Sequence, residues 1–88
     1  MKRTDVTYGQ LDRVLRSLGF SCRLYDVAAN PPPTNVYEHK KSGAIIFLPP
    51  FPESDRVLEY HLVEVRVMLD QFGIADPDVL AAKLQKAS

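Results

Sequence analysis

The chain has 88 residues, of which 45% are hydrophobic and 25% charged, and its basic and acidic residues balance to a formal net charge of zero. This composition predicts one folded domain over residues 1–88 and argues against disorder. No apolar run approaches the roughly 18 residues of a membrane-spanning helix, and the start of the chain lacks the apolar core of a signal peptide. We therefore expect no membrane partner and a cytoplasmic location, and the single cysteine, Cys22, fits that reducing compartment.

The first element in chain order is an amphipathic helix that starts near Thr7. Thr7 and Gln10 have the spacing of a capping box, in which each side chain satisfies a backbone N–H of the first turn. Gly19 suits the left-handed conformation in which many helices end. Four apolar residues between these two ends recur with the helical period and form one stripe: Leu11, Val14, Leu15 and Leu18.

The next stretch alternates in polarity and predicts a strand. Phe20, Cys22 and Leu24 fall on one face of it, which we expect to pack on the core. The three prolines that follow, Pro31–Pro33, donate no backbone hydrogen bonds, so they cannot lie inside a sheet. They predict a surface loop that holds Thr34 at the mouth of the following strand.

Residues 35–48 predict a β-hairpin. Its first half alternates, and the sequence Lys40–Gly43 supplies the turn, with Gly43 able to take positive φ. Its second half, Ala44–Leu48, is continuously apolar, which is typical of a central, well-buried strand.

Two helices are predicted to close the chain. Residues 55–72 alternate like a strand in places, but a run of about twenty residues without Gly or Pro is too long for a typical strand, so we expect a helix capped by Ser54. Asp76 followed by Pro77 predicts the cap and first turn of a short final helix.

The order of elements is therefore α-β-β-β-α with a short C-terminal helix. It predicts an α+β domain in which helices cover one face of a three-stranded antiparallel sheet, as in double-stranded-RNA-binding domains. The other sheet face is open to solvent or to a partner. The core is expected to contain Leu11, Val14, Leu15, Leu18, Ile46, Leu48, Leu62, Val65 and Leu69.

Three segments together resemble one known family. A first helix ending in "LRSLGF", a hairpin reading "VYEH…GAIIFLP" and a second helix ending in "LDQFGI" are similar to the HicA family, small toxins of bacterial toxin–antitoxin pairs. The resemblance covers most of the chain and is carried by element order and apolar pattern. It implies a fold related to the RNA-binding domain above, cleavage of messenger RNA, and silencing by an antitoxin protein.

The chain departs from this family at its chemical signature. The family carries Gly-Ser-His three residues before an aromatic, and if that aromatic is Tyr37, the histidine position falls on Thr34 and the Gly and Ser positions on Pro32 and Pro33. Phe51 stands where a second family histidine often lies. A threonine hydroxyl cannot accept a proton as an imidazole does, so the resemblance implies a member that lacks the catalytic histidine.

The candidate site residues follow from these positions. Thr34 and His39 are the candidate catalytic residues, and His39 shares a strand face with the aromatic of the signature. Nucleic-acid contacts are predicted at Arg23, Asn35, Lys40 and Lys41. No pair of cysteine and histidine residues has the spacing of metal ligands, so neither a metal nor a cofactor is expected.

Three functions are consistent with this sequence. The first is a catalytically degenerate HicA-like protein that binds RNA, an antitoxin-like protein or both. The second is a protein-interaction module or homo-oligomer that uses its open sheet face and binds no nucleic acid. The third is an active ribonuclease with relocated catalytic groups. A neighbouring gene for a small DNA-binding antitoxin would favour the first or third, and its absence the second.

Overall fold

The computed structural model describes residues 2–26 and 33–87. The elements in chain order are β1 (Arg3–Thr7), α1 (Tyr8–Ser17), β2 (Ser21–Tyr25), β3 (Thr34–His39), β4 (Ala44–Leu48), β5 (Arg56–Leu58), α2 (Glu59–Gln71) and α3 (Pro77–Lys86). The structure confirms the predicted α+β class, with a three-stranded antiparallel sheet in the order β2-β3-β4. A second sheet, of the two strands β1 and β5, was not predicted.

The ends of α1 and α3 are as the sequence predicts. The Thr7 hydroxyl accepts from the Gln10 backbone N–H at 3.2 Å, and the Gln10 side chain accepts from the Thr7 N–H at 2.8 Å, which completes the capping box. The Asp76 carboxylate accepts from the Val79 N–H at 2.9 Å and caps α3. At its other end α3 is held to α1, because the Arg13 guanidinium donates to the carbonyl of residue 87 at 2.8 Å.

The core lies between the helices and one face of the three-stranded sheet, which we call the inner face. Every predicted core residue is buried except Leu18, which is partly buried and packs against the others. The core also takes in aromatic and aliphatic residues that were not predicted, among them Tyr8, Tyr37, Val57, Leu80 and Leu84.

The prediction of a central, buried strand at Ala44–Leu48 is wrong. The central strand is β3, and β4 lies at the edge of the sheet. Its residues alternate, with Ile46 buried on the inner face and Ile45 and Phe47 exposed on the opposite, outer face. The apolar run therefore combines two different surfaces, a core face and an apolar outer face.

The inner face of β2 is shorter than predicted. Phe20 and Cys22 pack against the core, but Leu24 is 57% exposed, because it lies near the far end of the strand, opposite Asn35 and beyond the core cluster. Of the proline loop, Pro31 and Pro32 lie outside the described residues, and Pro33 is exposed.

The predicted start of the second helix is also wrong. Helix α2 begins at Glu59, and the preceding Arg56–Leu58 form β5, which pairs antiparallel with β1. Ser54 lies in the turn before β5 and caps nothing, since the N-cap position is Leu58 and has no side-chain cap. Residues 56–58 are extended because they pair with β1. Since β1 is far away in the sequence, the local pattern of residues cannot predict this pairing.

A buried tyrosine joins these elements. The Tyr8 hydroxyl accepts from the Leu58 N–H at 3.3 Å and lies 2.9 Å from Nδ1 of His61, which is also buried. We assign the hydroxyl proton to Nδ1, the acceptor within hydrogen-bond distance, and this assignment puts the ring proton of neutral His61 on Nε2. Among the described residues, no helix is both long and apolar enough to cross a membrane.

Replacing Gly19 with alanine should destabilise the fold more than the same change at Gly43. Both glycines have positive φ, +99° and +82°, so each variant should lose about 1–3 kcal/mol of unfolding free energy to backbone strain. A Cβ at Gly19 would in addition lie 3.3 Å from Nε2 of His39, whereas one at Gly43 meets nothing within 4 Å. Urea unfolding measures both losses.

The extra loss at Gly19 should disappear when His39 is also replaced by alanine. A double-mutant cycle over Gly19→Ala and His39→Ala isolates that term. Equal losses at Gly19 and Gly43 in the wild-type background would contradict the contact.

The stability of the fold should fall as the pH drops below about 6.5. Burial lowers the pKa of His61 from its usual value near 6.5, against a smaller opposing effect of Glu64. Above that pH the side chain is neutral in both folded and unfolded chains; below it the unfolded chain takes up the proton first, so stability is lost until the folded pKa is reached. Urea unfolding between pH 8 and pH 5 measures the loss.

The non-titrating variant His61→Asn, which keeps an acceptor near the Nδ1 position, is the control for this pH dependence. Subtracting its profile from that of the wild type removes the contributions of the other titrating groups. A difference profile that is flat, or that rises toward low pH, would contradict the assignment.

Candidate functional site

His39, one of the two candidate catalytic residues, is held in the hairpin turn. Its Nδ1 accepts from the Ser42 N–H at 3.2 Å and lies 2.7 Å from the Ser42 hydroxyl, which in turn accepts from the Ala44 N–H at 3.2 Å. The ring packs on Phe20 with centroids 5.0 Å apart. These contacts give His39 a structural task, that of fixing the turn against the core.

Thr34 and His39 do not share a site. They are the first and last residues of β3, so roughly 17 Å of extended strand separates them. They also lie on opposite faces, because side chains an odd number of residues apart point to opposite sides of a strand. Thr34 is paired with Tyr25 near the end of the sheet, far from the turn that holds His39.

The four residues predicted to contact nucleic acid are also dispersed. Arg23 lies on the outer face in the row that contains Val36, whereas Asn35 lies on the inner face opposite Leu48. Lys40 and Lys41 are exposed in the hairpin turn. Lys40 follows Val36 by four residues, or roughly 13 Å along the strand, so it is not an immediate neighbour of Arg23.

Asn35 opens onto a polar cleft of about 190 Å³ between α1 and β3. At its centre the Asp12 carboxylate accepts from Nε of Arg16 at 3.0 Å and from the Tyr37 hydroxyl at 2.7 Å. Phe51, at the second histidine position of the resemblance, lines the same cleft, whereas Thr34, at the first, does not. The two positions that the resemblance aligns with catalytic histidines are therefore separated.

The Asp12 carboxylate affects the titration of both of its partners in the cleft. Burial raises the pKa of Tyr37 well above its usual value, and the hydrogen bond to Asp12 raises it further, so the phenol stays protonated. The hydrogen bond to Asp12 likewise raises the pKa of Arg16. The result is a network that orients Arg16 and links α1 to the sheet.

The sequence does not predict the apolar surface that lies around the edge strand. We define the β4 surface as Ile45 and Phe47 of β4 together with Val63 and Val67 of α2. All four side chains are exposed, from 40% for Ile45 to 61% for Phe47, and they line one groove of about 330 Å³. Its signals in the sequence were the unbroken apolar run of β4 and the excess of valines in α2.

Metal ligands and known relatives give no further guide to the site. Within residues 2–26 and 33–87, no three His, Cys, Asp or Glu side chains are grouped so that they could hold a metal ion. Comparisons of the chain with protein-family models, with curated proteins and with solved structures found no match. The resemblance to the HicA family therefore stays a prediction, and the evidence for a function comes from the surfaces of the molecule.

The Tyr37→Phe variant should lose about 1–3 kcal/mol of unfolding free energy, because it removes a donor from the Asp12 carboxylate in a partly buried cleft. Tyr25→Phe, which alters an exposed tyrosine of the same sheet, should change stability by less than about 0.5 kcal/mol. Urea unfolding of both variants checks this. Equal effects in the two would show that the bond to Asp12 adds nothing.

Proposed function

We propose that this chain is a protein-binding module that takes a polypeptide partner on the β4 surface and has no catalytic step of its own. The observation that carries the proposal is the combination of an edge strand with exposed Ile45 and Phe47 and an adjacent helix with exposed Val63 and Val67. Monomeric proteins seldom leave so many neighbouring large apolar side chains uncovered around one edge.

The edge strand itself supports this reading. Natural sheets protect their edges with charges, prolines or bulges, because the unpaired backbone groups of an edge bind other strands. Strand β4 contains none of these, since its sequence is AIIFL and its pairing with β3 is regular. The opposite edge strand, β2, carries Arg23.

The groove beside the strand adds side-chain recognition to backbone pairing. An extended segment added to β4 would place alternate side chains on the outer face, beside Ile45 and Phe47, and the others over the groove formed with Val63 and Val67. We therefore expect the partner segment to be extended, with apolar residues at alternate positions. An antitoxin-like protein, which the resemblance to the HicA family implies, is one partner that could supply such a segment.

Selection of random ten-residue peptides against the immobilised chain tests the proposal. We expect the enriched peptides to carry alternating apolar residues and to lose at least tenfold in affinity for Phe47→Lys. Tyr25→Lys is the matched control, because Tyr25 is exposed on the same sheet face but on the other edge strand. Peptides that bind both variants equally, or no enrichment at all, would contradict this function.

A second candidate function, RNA binding, is favoured by one observation on the outer face. Arg23 lies there with two exposed aromatic residues, Tyr25 and Phe47, a combination that suits phosphate contact and base stacking. Against it stand the balanced charge of the chain and the separation of Arg23 from Lys40. Binding of this kind would be salt-sensitive and without sequence preference.

Fluorescence anisotropy with a short single-stranded RNA at low salt separates the two candidates. If RNA is the ligand, Arg23→Glu should weaken binding at least tenfold, as should Lys40→Glu combined with Lys41→Glu if the turn also contacts phosphates. Arg56→Glu, which changes an exposed arginine of β5, is the control for net charge. Absence of binding, or equal loss in Arg23→Glu and Arg56→Glu, would reject this face as an RNA site.

A further inference from the structure

We propose that the polypeptide on the β4 surface is a second copy of this chain, bound through antiparallel pairing of the two β4 strands into one continuous six-stranded sheet. This inference rests on the proposed function and names its partner. It goes beyond the open sheet face in general, because it assigns one edge, one direction of pairing and one register.

The strand is complementary to itself. A two-fold axis through Ile46 sets each Ile45 opposite Phe47 of the second copy, and Ala44 opposite Leu48 of the second copy. On the outer face, Ile45 of each copy then contacts the larger side chain of Phe47 of the other copy. Both side chains are exposed in the single chain. A shift by one residue would instead set Phe47 opposite Ile46 of the second copy, which faces the core.

The same axis brings the two α2 helices together beneath the extended sheet. Val63 and Val67 are exposed, lie one helical turn apart and line the groove beside β4. Because the copies run antiparallel, Val63 of one approaches Val67 of the other. The strand contact and the helix contact are therefore compatible with one symmetry operation.

Little charge opposes the pairing, since each copy brings one carboxylate to the groove. Among the side chains that line the groove, Glu64 alone is charged. Lys40 and Lys41 precede β4 in the turn and lie outside the paired segment. The chain as a whole has a formal net charge of zero, so two copies meet without net long-range repulsion.

The size of the surface sets the expected strength. About ten residues a side would be covered, counting β4 and the neighbouring groove, whereas a standard interface uses roughly 20–30 a side. We therefore expect a reversible dimer with a Kd in the range of roughly 10–100 μM, rather than an obligate one.

Sedimentation equilibrium of the full chain from 5 to 500 μM tests the inference. The wild type should pass from monomer to dimer over this range, and Phe47→Lys should stay monomeric. Tyr25→Lys, equally charged and on the same face of the other edge strand, should dimerise like the wild type. On the helix, Val67→Glu should weaken the dimer at least tenfold, and Val79→Glu, which changes an exposed valine of α3, should not.

Cross-linking tests the register independently of the charge variants. In a Cys22→Ser background, copies carrying Ile45→Cys are mixed with copies carrying Phe47→Cys and oxidised with oxidised glutathione. The mixed disulfide between the two variants should form faster than either disulfide between identical copies. Equal rates for all three products would overturn the register through Ile46.

Two results would overturn the second copy as partner: a wild type that is monomeric at 500 μM, and a dimer that Phe47→Lys leaves intact. The first leaves the proposed function standing if selected peptides still bind in a Phe47-dependent manner. Loss of both the dimer and the peptide binding would overturn the partner and the function together. Circular dichroism of each variant establishes that a monomeric species is folded.

Discussion

The arrangement of the layers depends on the hydrogen bonds of the Tyr8 hydroxyl. It is buried at the start of α1 and meets the Leu58 N–H and His61 Nδ1 at the start of α2. The two helices are thereby fixed at their N-terminal ends, and the β1–β5 ribbon is fixed between them. If the bond between Tyr8 and His61 were lost, the buried imidazole would lose this partner at a cost of about 1–3 kcal/mol, while the hydroxyl would keep the Leu58 N–H. Together with the core packing of Leu62, Val65 and Leu69, this anchor sets the position of α2 beside β4 and hence the groove of the β4 surface.

Two polar features described above have a structural function, whereas the apolar edge of the sheet is left partly uncovered. His39 organises the hairpin turn, and the Asp12–Arg16–Tyr37 network joins α1 to the sheet. Side chains of types that often act in catalysis therefore stabilise the fold here. The four side chains of the β4 surface, by contrast, keep 40% or more of their surface uncovered within a single chain. That contrast supports the proposed protein-binding function of the β4 surface.

Local signals could be read from the sequence, and distant ones could not. The caps formed by Thr7 and Asp76 involve partners three residues away, so their spacing alone identifies them. The local pattern of residues predicts helix where β5 lies, because the strand that pairs with β5 is about 50 residues earlier in the chain. The polar cleft was missed for the same reason: Asp12 and Arg16 are one turn apart and visible as a helical pair, but Tyr37 comes from another element. The apolar residues of β4 predict a strand, but they do not indicate whether that strand lies at the centre or at the edge of the sheet.

The β1–β5 ribbon also has a consequence for the order of folding. In the sequence, β1 precedes the three strands of the other sheet and β5 follows them. The hydrogen bond from the Glu59 N–H to the carbonyl of Lys2 therefore joins residues that are separated by most of the chain. During synthesis β1 therefore emerges long before the segment that pairs with it, while β2, β3 and β4 can pair with near neighbours as they appear. The three-stranded sheet can therefore pair before β5 and α2 are synthesised, and until α2 packs beside it the apolar edge strand β4 is open to contacts with other chains.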